Sequence, residues 1–212
     1  MRIACIHALK SSLAPIDRAF LTTDPSIELI HMMDTSLLQL LREEKQITPL
    51  IRSRLASFCT QADALDVQAV QMTCSAFNGV RDDIQPFVNA PVFRSDEGVM
   101  DEASRYIKIG LIATVEETPP PLLSYLQAIA PSIEVTVKID TTAMTALQKG
   151  EPARHDRKIK DLMQELAEDH EAIVLSQYSM AHVADQLHLP NTDILTAPQA
   201  SVTKCLKTLS RR

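Results

Sequence analysis

Short apolar runs rich in isoleucine and valine recur along the chain, separated by longer stretches in which apolar residues return every three or four positions. The short runs predict strands at 2–7, 27–32, 68–73, 91–93, 107–113, 133–139, 171–176 and 193–196, because continuous β-branched stretches of this length suit strands covered on both faces. Their alternation with helical patterns predicts βα units feeding a parallel sheet. Helix starts are marked by Thr48 followed by Pro49, by Asp156 ahead of RKIKDLMQELAED, and by Ala197-Pro198 ahead of QASVTKCLKTL. In the second of these, Ile159, Leu162, Met163 and Leu166 share one apolar face. The run from Arg154 to Lys160 then reads as a solvated helix start, and Ser11 and Ser12 as an N-cap ahead of PIDRAFL.

The pattern repeats. PSIE occurs at 25–28 and again at 131–134, an offset of 106, and the same offset lays IACIHA on IGLIAT. Further on, VQAVQMTCSAF faces EAIVLSQYSMA at an offset of 103 or 104, and APVFRSDEGVMDEA faces NTDILTAPQASVTK. Elements recurring in one order predict an α/β protein of two similar flavodoxin-like or Rossmann-like lobes. Their parallel sheets are expected to be related by pseudo-twofold symmetry, with a ligand cleft between them. The first lobe is expected over 1–97 plus a returning C-terminal helix at 198–212, the second over 98–197. Open α/β sheets bind ligands beyond the carboxyl ends of their strands. The candidate site segments are therefore His7 to Ser12, Thr73 to Asn78, Thr114 to Thr118 and Ser176 to Met180.

Composition narrows the chemistry. A net charge of −6 and an aromatic share of 4% give no basic stripe with interleaved aromatics, so no nucleic-acid partner is expected. With four glycines there is no GxGxxG and no Walker loop, and no cofactor is expected. The apolar run in MRIACIHALKSS is too short for a signal-peptide core or a membrane span, so a cytoplasmic location without a membrane partner is expected. Four cysteines, Cys5, Cys59, Cys74 and Cys205, form no CxxC pair, which argues against a zinc site and against a disulfide framework. His31, His155, His170, His182 and His188 lie at no metal-ligand spacing and read as surface or helix-face residues. Cys5 falls inside a strand and Cys59 and Cys205 on apolar helix faces, whereas Cys74 stands at a strand end.

TCSAF at Thr73 to Phe77, IGLIATVEET at Ile109 to Thr118 and SQYSMA at Ser176 to Ala181 resemble motifs of the aspartate/glutamate/hydantoin racemase superfamily. Its members have two such lobes, each with a cysteine at the third strand end. The resemblance implies a cofactor-independent enzyme, a racemase or epimerase acting on an amino acid or derivative, with Cys74 as acid/base and with Gln177 where the second cysteine would stand. Racemisation next to a carboxylate needs a base on one face of the carbon and an acid on the other, and glutamine exchanges no proton near neutral pH. His7, by its titration range, and then Tyr178 are the candidate partners across from Cys74. A single-cysteine decarboxylase or cis-trans isomerase is the second reading, although the decarboxylases keep their thiol in the second lobe. The third is a carboxylate-binding protein without turnover.

The hydroxyls of Thr73, Ser75, Thr114, Thr118 and Ser179, with Ser11 and Ser12, either receive the substrate carboxylate or cap helices. Ala76 and Phe77 complete the first motif beside the substrate. Gln177 can donate an amide hydrogen bond or fill space, and Tyr178 can cover the ligand or simply pack. A helix following Cys74 would favour its thiolate. The partner expected is a small-molecule carboxylate or related compound, and the resemblance is compatible with a homodimer.

Overall fold

The computed structural model describes residues 1–211. The chain divides into two compact units, Met1–Ser95 with the chain from Ser201 on, and Asp96–Ala200. The first unit holds β1 (Arg2–His7), α1 (Leu13–Thr23), β2 (Glu28–Met33), α2 (Leu37–Glu44), α3 (Pro49–Asp63), β3 (Ala69–Met72), the 3₁₀ segment Ser75–Val80, α4 (Arg81–Ile84) and β4 (Val92–Phe93). The second holds α5 (Glu97–Ala103), β5 (Lys108–Ala113), α6 (Pro119–Ile129), β6 (Glu134–Ile139), α7 (Thr141–Gln148), α8 (Pro152–Ala167), β7 (Ala172–Leu175), the 3₁₀ segment Tyr178–Gln186 and β8 (Asp193–Thr196). The last helix, α9, spans Ala197–Leu209. The protein is thus α/β with two similar lobes, each carrying a four-stranded sheet, in the orders β2-β1-β3-β4 and β6-β5-β7-β8. Every strand pair is parallel.

The repeat read from the sequence holds residue by residue. Ile3 pairs with Leu29 and Ala69 in one sheet; Ile109 pairs with Val135 and Ala172 in the other. The inner strands are buried on both faces and the β2 and β6 edges only partly, which is why the inner strands read as unbroken apolar runs. At the end of each second strand an aspartate closes the same turn. Asp34 N–H donates to His7 O and Asp140 N–H to Ala113 O, both at 3.0 Å. Asp34 Oδ1 accepts from Ser36 and Asp140 Oδ1 from Thr142, and each carboxylate meets a cation 2.9 Å away, Arg54 on α3 and Lys158 on α8.

Two helix starts differ from the sequence reading. Thr48 caps α3 as expected, its Oγ1 accepting from Ile51 N–H with Pro49 in the first turn. However, α8 begins at Pro152, and Asp156 lies inside it. Gly150 supplies a left-handed turn (φ 77°) after α7, and a proline in the first turn loses no hydrogen bond, so the helix starts as soon as the chain has reversed. His155 is consequently buried, so the Arg154–Lys160 run is not uniformly solvated. Likewise α1 starts at Leu13, and the Ser12 side chain does not cap it.

Candidate active site

In the first unit, β1 ends on His7, and β3 runs through Thr73 into Cys74, whose backbone is extended before the 3₁₀ turn begins at Ser75. Phe77 N–H closes that turn on Cys74 O at 3.2 Å. The segment following Cys74 is a six-residue 3₁₀ helix, Ser75–Val80, with Cys74 at its N-cap position, which runs on into the four-residue α4 rather than forming one long α-helix. Of the four cysteines, none in a disulfide, Cys74 is the one that is not fully buried. Burial pushes the thiols of Cys59 and Cys205 up to about 12, and burial, then Asp17 and Cys205, also raise Cys5. Those three are packing residues that carry no thiolate at neutral pH.

His7 is 1% exposed and sits in a closed hydrogen-bond network. Its Nδ1 lies 2.7 Å from Ser12 Oγ and 2.9 Å from Thr73 Oγ1. Ser12 Oγ–H donates to Leu9 O and Thr73 Oγ1–H to Ile6 O. With both hydroxyl protons committed to carbonyls, Nδ1 must be the donor and Nε2, in the neutral ring, the acceptor. Nε2 meets His31 Nδ1 at 2.9 Å, and His31 Nε2 meets Asp17 at 3.1 Å. Burial first, and then His31, lower the His7 pKa to about 4, so the ring is neutral at physiological pH. Both nitrogens are therefore engaged within the protein, Nδ1 with Ser12 and Thr73 and Nε2 with His31.

The second unit repeats the frame with different chemistry. Ser176 Oγ–H donates to Ile112 O at 2.6 Å, as Thr73 does to Ile6, and Met180 N–H closes on Gln177 O at 3.1 Å, as Phe77 does on Cys74. Thr118 N–H bonds Val115 O as Ser12 N–H bonds Leu9 O. Ala113 stands where the first unit has His7. Gln177, 9% exposed, replaces Cys74, and its Oε1 accepts from both Thr114 N–H (2.5 Å) and Thr114 Oγ1–H (2.8 Å). Its carbonyl is thereby fixed and its amide group is left as a donor.

The remaining sequence candidates fall on these two frames. Thr73, Ser75, Ala76 and Phe77 are buried around Cys74, while Ser11 is half-buried in the turn before α1. Thr118 is buried at the start of α6 without a side-chain cap bond, and Ser179 is buried after Gln177. Tyr178 is buried, 3% exposed, at the start of the 3₁₀ segment Tyr178–Gln186. Sequence reading missed His31, which meets His7 through the β1–β2 pairing, and Asp17 on α1, which meets His31. Alternation along β2 places His31 beside β1 but says nothing of its partner.

The family profile described as Asp/Glu/Hydantoin racemase matches residues 14–205. The chain belongs to the Asp/Glu/hydantoin racemase family. Solved structures similar to this racemase-family protein include Picrophilus torridus aspartate racemase, at a TM-score of 0.81 and 7% identity over 99% of this chain and 94% of that one. An aspartate racemase homologue from Pyrococcus horikoshii matches at 0.75 and 14% identity over 99% of both chains. Allantoin racemase from Klebsiella pneumoniae matches at 0.71 and 13% identity over all of this chain and 88% of that one. A search of the curated proteins gave no match. At these identities the solved structures establish the shared fold of the family member. Among the described residues, no helix is long and apolar enough to cross a membrane.

Proposed function

We propose that the protein is a cofactor-independent isomerase that moves a proton at a carbon next to a carboxylate or carbonyl of an amino acid or derivative, with Cys74 as the acid/base. The observation that carries this is the asymmetry of the cysteines: three are buried with raised or strongly raised thiols, and the remaining one stands at the end of β3 in the racemase motif. Thiolate abstraction of the proton leaves a carbanion stabilised into the carboxylate, and return of a proton to the carbon completes the exchange. The hydroxyls of Ser11, in the turn before α1, and of Ser75, next to Cys74, are the candidate carboxylate donors of the first half. In the second half, Thr118 and Ser179 are the candidate hydroxyls, Thr114 acts by holding Gln177, and Gln177 would donate its amide to the ligand. His7 is assigned a positioning role, holding Ser12 and Thr73 in place, rather than the role of opposing acid.

A one-thiol reaction, decarboxylation or cis-trans isomerisation, is the second reading, and the Thr114 clamp on Gln177 favours it, because the equivalent position of the second repeat has no exchangeable group. The Francisella tularensis glutamate racemase, similar in fold at a TM-score of 0.75 and 13% identity, was solved with D-glutamate, which makes amino-acid dicarboxylates the first compounds to try. The test is deuterium incorporation from heavy water into aspartate, glutamate, hydantoins and substituted malonates, with carbon dioxide release followed in parallel. Exchange that Cys74→Ala abolishes supports the isomerase, carbon dioxide release supports the one-thiol reading, and neither, with thermal stabilisation by a carboxylate, leaves a binding protein.

A further inference from the structure

The second unit contains a cluster that the isomerase reading does not use. His155 and Asp156, in the early turns of α8, meet His182 from the 3₁₀ segment Tyr178–Gln186. Asp156 Oδ1 lies 2.8 Å from His155 Nδ1 and 2.8 Å from His182 Nε2, and Gln186 Nε2 donates to Asp156 Oδ2 at 3.3 Å. The two imidazole rings stack with centroids 6.1 Å apart. One nitrogen from each ring and one carboxylate oxygen all fall within 4.8 Å of one another. His155 is fully buried, and its Nε2 meets no hydrogen-bond partner among the described residues. The nitrogen of His155 that faces Asp156 is Nδ1.

We propose that His155, Asp156 and His182 bind a divalent transition-metal ion. Two imidazoles and a carboxylate form a borderline donor set that suits zinc, nickel or cobalt and disfavours magnesium or calcium. Zinc holds imidazole nitrogens and carboxylate oxygens at about 2.0–2.2 Å, so donors already gathered this closely reach one ion by side-chain rotation with the backbone in place. The open coordination positions go to water or to the Gln186 amide oxygen after a flip of that group. His182 is partly exposed, side chain 35%, which gives the ion a way in. The sequence separation of 155 and 182 is not a metal-ligand spacing; the fold of α8 against the turn after β7 creates the cluster. A bound ion would tie that turn, which begins one residue after Gln177, to the long helix.

The test is titration of the metal-free full-length chain with Co²⁺ and Zn²⁺, following the visible d–d absorption of Co²⁺ and the thermal midpoint with Zn²⁺. The expected result is one equivalent of Co²⁺ bound with nitrogen/oxygen-type bands, and a midpoint raised by Zn²⁺ but not by Mg²⁺. His182→Ala and Asp156→Asn should each weaken binding by roughly tenfold or more, since even outer-sphere partners are worth about that much. The His182 side chain is 35% exposed, and His182→Ala should remain folded by circular dichroism. Cys74→Ser should bind as the wild type does, which separates this site from the candidate active site. Absence of Co²⁺ bands in the wild type, binding unchanged in His182→Ala, or sulfur-to-cobalt charge-transfer bands lost in Cys74→Ser would each overturn the proposal.

Discussion

The two units share strand order, pairing register and turn-closing hydrogen bonds, and differ where chemistry would happen. At the end of β3 the first unit has a half-buried thiol, and at the end of β1 a buried histidine network; at the end of β7 the second has an amide clamped by Thr114, and at the end of β5 an alanine. A duplicated frame constrains backbones and leaves the groups projecting from strand ends free to diverge, because those groups add little to the core. The frame therefore says where a site would be, and the differing residues say that only the first half has a cysteine at its third strand end.

The comparison yields four expectations. The largest concerns the thiol: if exchange or decarboxylation is found, Cys74→Ala should lower its rate by about 10²–10⁴-fold, the usual worth of a positioned acid/base, while Gln177→Ala should retain most of it. Equal losses at both positions would break the contrast between the halves.

Next comes the histidine network. A histidine whose native pKa is lowered to about 4 from 6.5 binds fewer protons folded than unfolded between those values. Its stabilising effect is complete above pH 6.5 and is lost as pH falls toward 4, a decline of ~3 kcal/mol. Denaturant titrations should show that slope in the wild type and its loss in His7→Gln, which keeps hydrogen bonding without titrating there. If the substitution leaves the slope intact, His7 is not its source.

The third expectation exploits Gly110, which occupies the place of Ala4 in the other sheet. A Cβ there would come within 2.7 Å of Leu166 Cδ1 and 3.1 Å of Leu166 Cβ, so α8 packs closely over β5. Gly110→Ala should cost about 1–3 kcal/mol by overpacking, read as a lower denaturation midpoint, whereas Ala4 already carries the extra carbon in the first unit. The smallest effect is a symmetric control. Burial works to raise Asp34 and Asp140, but hydrogen bonds from Ser36 and Arg54, and from Thr142 and Lys158, outweigh it and hold both below the usual carboxylate range. Asp34→Asn and Asp140→Asn should each cost about 1 kcal/mol, a typical value for a turn-closing side-chain bond, and should match one another in thermal scans. A large mismatch would show that the repeated turns are not energetically equivalent.

Much of this was legible in the chain because it is local or periodic. Every expected strand lies within a residue or two of an observed one, since unbroken runs such as IVLS and IACI fit only strands buried on both faces. The PSIE repeat revealed the duplication, and the strand-end position of Cys74 set it apart from three cysteines on buried faces. The helix start at Asp156 was misplaced because a capping residue and a proline four residues earlier offer competing signals, and the left-handed Gly150 decides between them. Ser12 looked like a cap for the same local reason, yet its hydroxyl serves Leu9 and His7.

The sequence by itself determined the alternation of elements, their duplication and which half keeps the thiol, because each depends on residue type and spacing along the chain. Only the tertiary structure decided that His7 is neutral and enclosed, that Gln177 is held by Thr114, and that His155, Asp156 and His182 meet. Those facts depend on which side chains from distant elements share the same few ångströms and how much water is left around them, and neither periodicity nor propensity encodes that.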